Sequence, residues 1–235
     1  MKNKRNILIT GASRGIGRAA ALALASDETH IIALARSKQA LQTLGDEIAA
    51  KSCSATLVPM DLTDYDSLIK LGHSLQSEFS CLDGWLANAA ILGPLGPLAT
   101  LDKRGLEHTL QVNLMANGYL ITALTPLLQA SKAPRIVFVT SSVARHPRAF
   151  WGPYQASKAG LEALALGWAD ETEALGFKVN LFDPGATRTA MRAKAMPGED
   201  PMTLPSAEDV AEKLVPLLSV QETRTAQMVR YRDLV

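Results

Sequence analysis

Short apolar runs alternate with amphipathic stretches from one end of the chain to the other. The runs fall at residues 6–10, 30–35, 55–60, 83–88, 135–141 and 178–182, with a weaker one at 227–231. Several are nearly continuous in Val, Ile, Leu and Ala, as strands covered on both faces are. Between them, helical patterns occupy residues 15–26, 38–50, 65–79, 103–128, 152–175 and 207–218. Strand and helix in strict alternation predict right-handed crossovers. The expected fold class is α/β, a doubly wound parallel sheet of seven strands flanked by helices. No repeat or low-complexity linker interrupts the pattern, so one domain over residues 1–235 is expected. Residues 188–205, with Met191, Met196, Met202 and three prolines, match neither pattern. They follow the carboxyl edge of the sixth strand, where ligands bind in such sheets, and read equally as a surface loop or a substrate lid.

Composition narrows the function classes. Lys and Arg number 24 against 23 Asp and Glu, a formal charge of +1, so neither nucleic acid nor a membrane surface is an expected partner. The basic start, Met1 to Arg5, resembles that of an export signal. Only Ile7, Leu8 and Ile9 then precede Thr10 and Gly11, against the roughly 7–15 apolar residues such a signal needs. No run approaches the ~20 apolar residues of a membrane span. Cys53 and Cys81 show neither a disulfide framework nor ligand spacing, and His30, His73, His108 and His146 form no metal-binding pattern. A soluble, cytoplasmic protein with reduced thiols and no metal is expected.

The first strand runs into Thr10-Gly-Ala-Ser-Arg-Gly-Ile-Gly17, which opens a helix. Gly11, Gly15 and Gly17 allow a tight turn and the close approach of a pyrophosphate to the helix N-terminus. The spacing is G-x-x-x-G-x-G rather than the commoner G-x-G-x-x-G. Cofactor choice falls to the end of the second strand. An NAD site usually places an acid there for the adenosine 2′-hydroxyl, about 20 residues past the glycines. Here Arg36 and Ser37 stand in its place. Arg36, with Arg14 from the glycine turn, suits a 2′-phosphate, which favours NADP(H) over NAD(H). Asp61 and Leu62 follow the third strand; the Asp61 carboxylate suits the adenine amino group or, equally, a helix cap.

Tyr154 and Lys158 lie four apart on a predicted helix and share a face. A neighbouring ammonium can lower a phenol's pKa from its usual ~10 by roughly 1–3 units, which suits proton exchange with a substrate oxygen. Ser141 precedes the pair, with Thr140 and Ser142 beside it. If the strand extends that far, alternation turns those two to its other face.

In order along the chain stand residues 10–17, Asp61, Asn88-Ala89-Ala90, Asn113, Ser141, Tyr154 with Lys158, and Pro184-Gly185 followed by Thr187 and Thr189. This set resembles the short-chain dehydrogenase/reductase (SDR) family over essentially the whole chain. Residues 141–154 and 187–201 look closest to its bacterial YciK-type branch. The resemblance implies a Rossmann fold and NADP(H)-dependent interconversion of a carbonyl and an alcohol. It also implies a small-molecule substrate and a homodimer or homotetramer. Catalysis would fall to Tyr154 as general acid/base, Lys158 as its activator and ribose ligand, Ser141 on the substrate oxygen, and Asn113 on a relay water. The cofactor would lie on Gly11, Ser13, Arg14, Gly15, Ile16, Gly17, Arg36, Asp61, Leu62, Asn88 and Ala89. Tyr154, Lys158, Pro184, Gly185, Thr187 and Thr189 would complete its site. The chain departs from the family pattern at Ala90, where glycine is usual, at Ala186, and in lacking a glycine-rich tail after the seventh strand.

Two surface readings complete the expectations. Arg145, His146, Arg148, Arg188 and Arg192 flank the expected site, as a solvated face or as an attractor for an anionic substrate. Small and apolar residues along 152–175, among them Ala156, Ala159, Gly160, Ala163, Ala165 and Leu166, exceed what one buried face needs, so paired helices are expected. The rival functions are an NAD-linked alcohol dehydrogenase and a nucleotide-binding sensor without turnover.

Overall fold

A computed structural model describes residues 4–235. Strands β1 (Arg5–Thr10), β2 (Thr29–Ala35), β3 (Ser54–Pro59), β4 (Gly84–Ala87), β5 (Arg135–Val139), β6 (Lys178–Asp183) and β7 (Met228–Arg230) form one sheet. Its order is β3-β2-β1-β4-β5-β6-β7, and every neighbouring pair is parallel. The order reverses between β1 and β4. Their carboxyl ends diverge there, leaving the crevice in which doubly wound sheets bind ligands.

The unbroken apolar runs are explained by a core on each face. In β1, Ile7 and Ile9 pack with α1 (Gly15–Leu24), α2 (Lys38–Ala49) and α8 (Ala207–Leu214). Leu8 points the other way, into the layer of α3 (Tyr65–Glu78), α5 (Ala116–Gln129) and α6 (Gly152–Thr172). Both faces being dry, no polar alternation survives in the strand. In the second layer Trp85, Phe138, Trp168 and Phe177 meet edge to face, with centroids 5.1–6.2 Å apart. Among the described residues no helix is long and apolar enough to cross a membrane.

The structure revises three sequence-based elements. The expected helix over residues 103–128 is α4 (Lys103–Leu110) and α5, separated by a π-helical turn at Gln111–Met115. The inserted turn leaves the apolar spacing almost unchanged, so periodicity does not reveal it. β5 ends at Val139, although Ser141 remains extended (φ −158°, ψ 148°) ahead of a 3₁₀ turn at Ser142–Ala144. The last helical stretch is α8 followed by a 3₁₀ segment at Val215–Leu218, because Pro216 cannot donate to a continuing α-helix.

Residues 188–205 fold over the crevice as α7 (Ala190–Ala195) and a 3₁₀ turn at Pro201–Thr203. Arg192 holds this segment together through two bonds of 2.6 Å to Glu199.

Candidate active site

Each part of the crevice is placed by a strand end. Thr10, the last residue of β1, joins the two strands that part there. Its hydroxyl accepts from the backbone N–H of Asn88 at 3.0 Å and of Ala89 at 3.1 Å, and its carbonyl accepts from Asn88 Nδ2 at 3.0 Å. Gly11 turns with φ +68°, and Gly17 in the first turn of α1 is pressed against it: a Cβ on Gly17 would lie 2.4 Å from the Gly11 carbonyl oxygen. Among the described residues no side chain caps α1. Its first N–H groups therefore face the crevice with the positive end of the helix dipole behind them, an arrangement suited to a phosphate.

A cleft of about 840 Å³ runs from this turn to Tyr154. It is lined by Gly11, Ser13, Arg14, Gly15, Ile16, Arg36, Asp61, Leu62, Asn88 and Ala89 at one side and by Ser141, Tyr154, Lys158, Pro184, Gly185, Thr187 and Thr189 at the other. Of the sequence-predicted site residues only Gly17 and Asn113 do not line it; both sit behind its wall. Arg14 and Arg36 are exposed, and their side chains make no hydrogen bond or salt bridge among the described residues. Asp61 accepts from the Thr63 N–H and hydroxyl, both at 2.9 Å, which holds its carboxyl below the usual range, with smaller help from Arg36. The helix-cap alternative for Asp61 falls away, since Asp64 caps α3 through the Ser67 N–H at 3.1 Å.

At the inner end, α6 starts at Gly152, with Pro153 in its first turn, where a missing N–H costs nothing. Tyr154 and Lys158 on its buried face are 8 % and 2 % exposed. The Ser141 side chain lies beside the Tyr154 phenol on the cleft wall. Lys158 Nζ donates to the Val139 carbonyl at 2.8 Å and lies 5.9 Å from the Tyr154 ring centroid. Thr140 turns away to Glu162 at 2.6 Å, so alternation beyond the strand selects Ser141. Asn113 sits in the π-helical turn, fully buried, with its side chain bonded to both the N–H and the carbonyl of Ile91 at 2.8 and 2.9 Å.

The acid–base balance differs from the sequence-based expectation. Burial pushes Tyr154 up to about 12, and the neighbouring Ser141 hydroxyl only partly offsets this. The ammonium does not offset the effect of burial on the phenol, and burial lowers Lys158 to about 8, with Glu162 resisting. Desolvation disfavours the charged form of each group, which moves the two in opposite directions.

The expected arginine cluster is also corrected. Arg145 turns inward to Glu162 and Asp183, and Arg192 is tied to Glu199, so neither is free to attract an anion. Arg148 lies 5.7 Å over the Trp151 ring, while Arg188 meets Met202. Around Tyr154 the wall is apolar, formed by Leu92, Val143, Trp151, Met191 and Ala195. Trp151 lines the cleft, whereas Phe150 is exposed; Ala90 lines the cleft and Ala186 does not.

Sequence reasoning missed Ser157. It is fully buried, accepts from Asn113 Nδ2 at 3.0 Å and donates to the Tyr154 carbonyl at 2.7 Å. It thus ties the π-helical turn to the first turn of α6. Its signal was a hydroxyl three residues after Tyr154, on the same helical face.

Residues 5–200 match the family described as short chain dehydrogenase. The chain belongs to this family. The oxidoreductase YciK of Escherichia coli K12 is 37% identical over 211 residues, spanning 88% of this chain and 83% of that protein. A short chain dehydrogenase from E. coli CFT073 solved with NADPH superposes with a TM-score of 0.91 at 35% identity, covering 98% of this chain and 97% of that one. One from Shigella flexneri 2a solved with NADP gives 0.91 at 34% identity, covering 98% of each chain. The likeness to these short-chain dehydrogenases extends over the strand ends and glycine turn that form the cleft.

Proposed function

We propose that this short-chain dehydrogenase uses NADP(H) to interconvert a small carbonyl compound and its alcohol, with reduction favoured in the cell. The observation carrying this reading is one cleft with two exposed, unpaired arginine side chains at one end and Ser141 and Tyr154 side by side with buried Lys158 at the other.

The residues present fit the cofactor. The uncapped start of α1 and the glycine turn would hold the pyrophosphate. Arg14 and Arg36 would take the 2′-phosphate, and Asp61 with Leu62 would border the adenine. When bound, the nicotinamide supplies the hydride chemistry. Ser141 would hold the substrate oxygen and stabilise its growing negative charge. Tyr154, kept protonated by burial, would deliver the proton to that oxygen. Lys158 would stabilise the phenolate left behind and hold the ribose, and Asn113 would seat a water for its reprotonation. The apolar wall around Tyr154 would exclude bulk water.

Fluorescence titration of the purified protein with NADPH and NADH tests the cofactor. Tighter NADPH binding is expected, and Arg36→Asp should weaken NADPH by at least about tenfold, or ~1.4 kcal/mol, with NADH little changed. Preference for NADH in the unsubstituted protein would overturn the assignment.

We also propose a homodimer or homotetramer built on α5 and α6. Ala156, Ala159, Ala163, Leu166 and Gly167 are exposed along one stripe of α6, and Met115 and Tyr119 are exposed nearby. Small residues permit close helix pairing, and a two-fold would bury the same stripe on each copy. Light scattering should return twice or four times the 25.1 kDa chain mass, and the mass of a single chain would sink the idea.

A further inference from the structure

We propose that Arg145 is a positioning residue that balances two carboxylates, Glu162 and Asp183, beside Tyr154 and Lys158 and so governs how Lys158 exchanges its proton. The inference rests on the acid/base roles proposed above, but its test does not.

Arg145 lies in the loop between Ser141 and Tyr154. Its Nη1 reaches Glu162, and its Nη2 donates to Asp183 Oδ2 at 2.7 Å. Glu162 stands one turn beyond Lys158 on α6 and also accepts the Thr140 hydroxyl at 2.6 Å. Asp183, 4 % exposed at the end of β6, accepts the Gly185 N–H at 3.1 Å through its other oxygen. One guanidinium thus ties its own loop to the helix of Tyr154 and Lys158 and to the end of β6 that leads into the Pro184-Gly185 turn.

Charge gives the arrangement its chemical meaning. The groups gathered here are two cations, Lys158 and Arg145, and two anions, Glu162 and Asp183. Glu162 faces Lys158 from its own helix, and Asp183 faces Tyr154 from β6; each carboxylate favours retention of the proton. With Arg145 the set is neutral. Without it a net negative charge would remain in a poorly solvated site, where a charge acts strongly on its neighbours. Lys158 would then hold its proton to higher pH, and Tyr154 would ionise less readily.

A further detail shows that the carboxylates dictate where this side chain sits. Arg145 Nε is buried without a hydrogen-bond partner. A guanidinium placed for its own hydrogen bonding would not leave that donor orphaned. The fork is aimed at Glu162 and Asp183 instead.

The experiment follows the titration of Lys158 by NMR in ¹³C-lysine-labelled protein, with Lys158→Met identifying its resonance. The midpoint should lie well below that of the other lysines. Arg145→Met should raise it by at least about one unit, whereas Arg145→Lys, which keeps the charge, should largely restore it. An unmoved midpoint in Arg145→Met, or an equal shift in Arg145→Lys, would overturn the proposal. Should Arg145→Met fail to fold, Glu162→Gln serves in the opposite direction. It removes an anion and must lower the midpoint, and a constant or raised value would also overturn the proposal. Turnover by Tyr154→Phe separately tests the catalytic reading, so the two can fail independently.

Discussion

Tyr154→Phe should lower the rate of NADPH-dependent carbonyl reduction by roughly 10²–10⁴-fold, the usual contribution of a positioned proton donor, and leave NADPH binding almost unchanged. The substitution removes one oxygen from a ring that packs against Trp151 at a centroid distance of 6.0 Å and against Leu92 and Val143. The helix start and the cleft wall should therefore survive. NADPH consumption across a panel of carbonyl compounds measures the first effect, and fluorescence titration the second. Turnover within tenfold of the parent would remove Tyr154 from the proton-donor role. The pH profile adds a second check. With Tyr154 at about 12, the phenol is protonated throughout the neutral range and can donate. Lys158 carries its charge below about 8 and loses it above, so its support for the phenolate fades there. The reduction rate should thus be level on the acid side of pH 8 and fall on the alkaline side.

Gly17→Ala should weaken NADPH binding by at least about tenfold (~1.4 kcal/mol) and lower the melting temperature by several degrees. The added Cβ would lie 2.4 Å from the Gly11 carbonyl oxygen and 2.5 Å from Asn88 Nδ2. Relief cannot come from one flexible side chain. The first contact is backbone, and Asn88 is held by Thr10. Either α1 must move away from the end of β1, which takes its free N–H groups off the phosphate position, or the glycine turn must distort. Overpacking at a rigid contact costs roughly 1–3 kcal/mol. Calorimetry and NADPH titration on the same sample measure both effects. Normal cofactor affinity would mean that the turn is not the phosphate cradle.

Local readings of single residues had different outcomes. Asp61 read equally as an adenine contact or a helix cap; the cap is Asp64, three residues on, because α3 begins later than Asp61 could serve. Arg36 read as a ligand for a 2′-phosphate and Arg145 as part of a basic face flanking the site, so both were expected to face solvent or ligand. Arg36 is free at the mouth, while Arg145 is turned inward onto carboxylates from α6 and β6. Local sequence contains nothing to separate them: Glu162 and Asp183 are 17 and 38 residues away from Arg145. Ser157 was missed for a similar reason, since its partner Asn113 is 44 residues distant and lies in a π-helical turn that apolar periodicity conceals.

The order and type of the elements, the parallel sheet, the glycine turn and the shared face of Tyr154 and Lys158 were all determined within short windows of sequence. They depend on side-chain periodicity and on backbone freedom at particular glycines, which are local properties. The family resemblance lay in the sequence as well, as motifs kept in order. Only the tertiary structure decided which arginines stay free, and that burial raises Tyr154 and lowers Lys158. Those outcomes depend on the removal of water and on charges brought together from distant segments, and both arise only when the sheet and its two helical layers close.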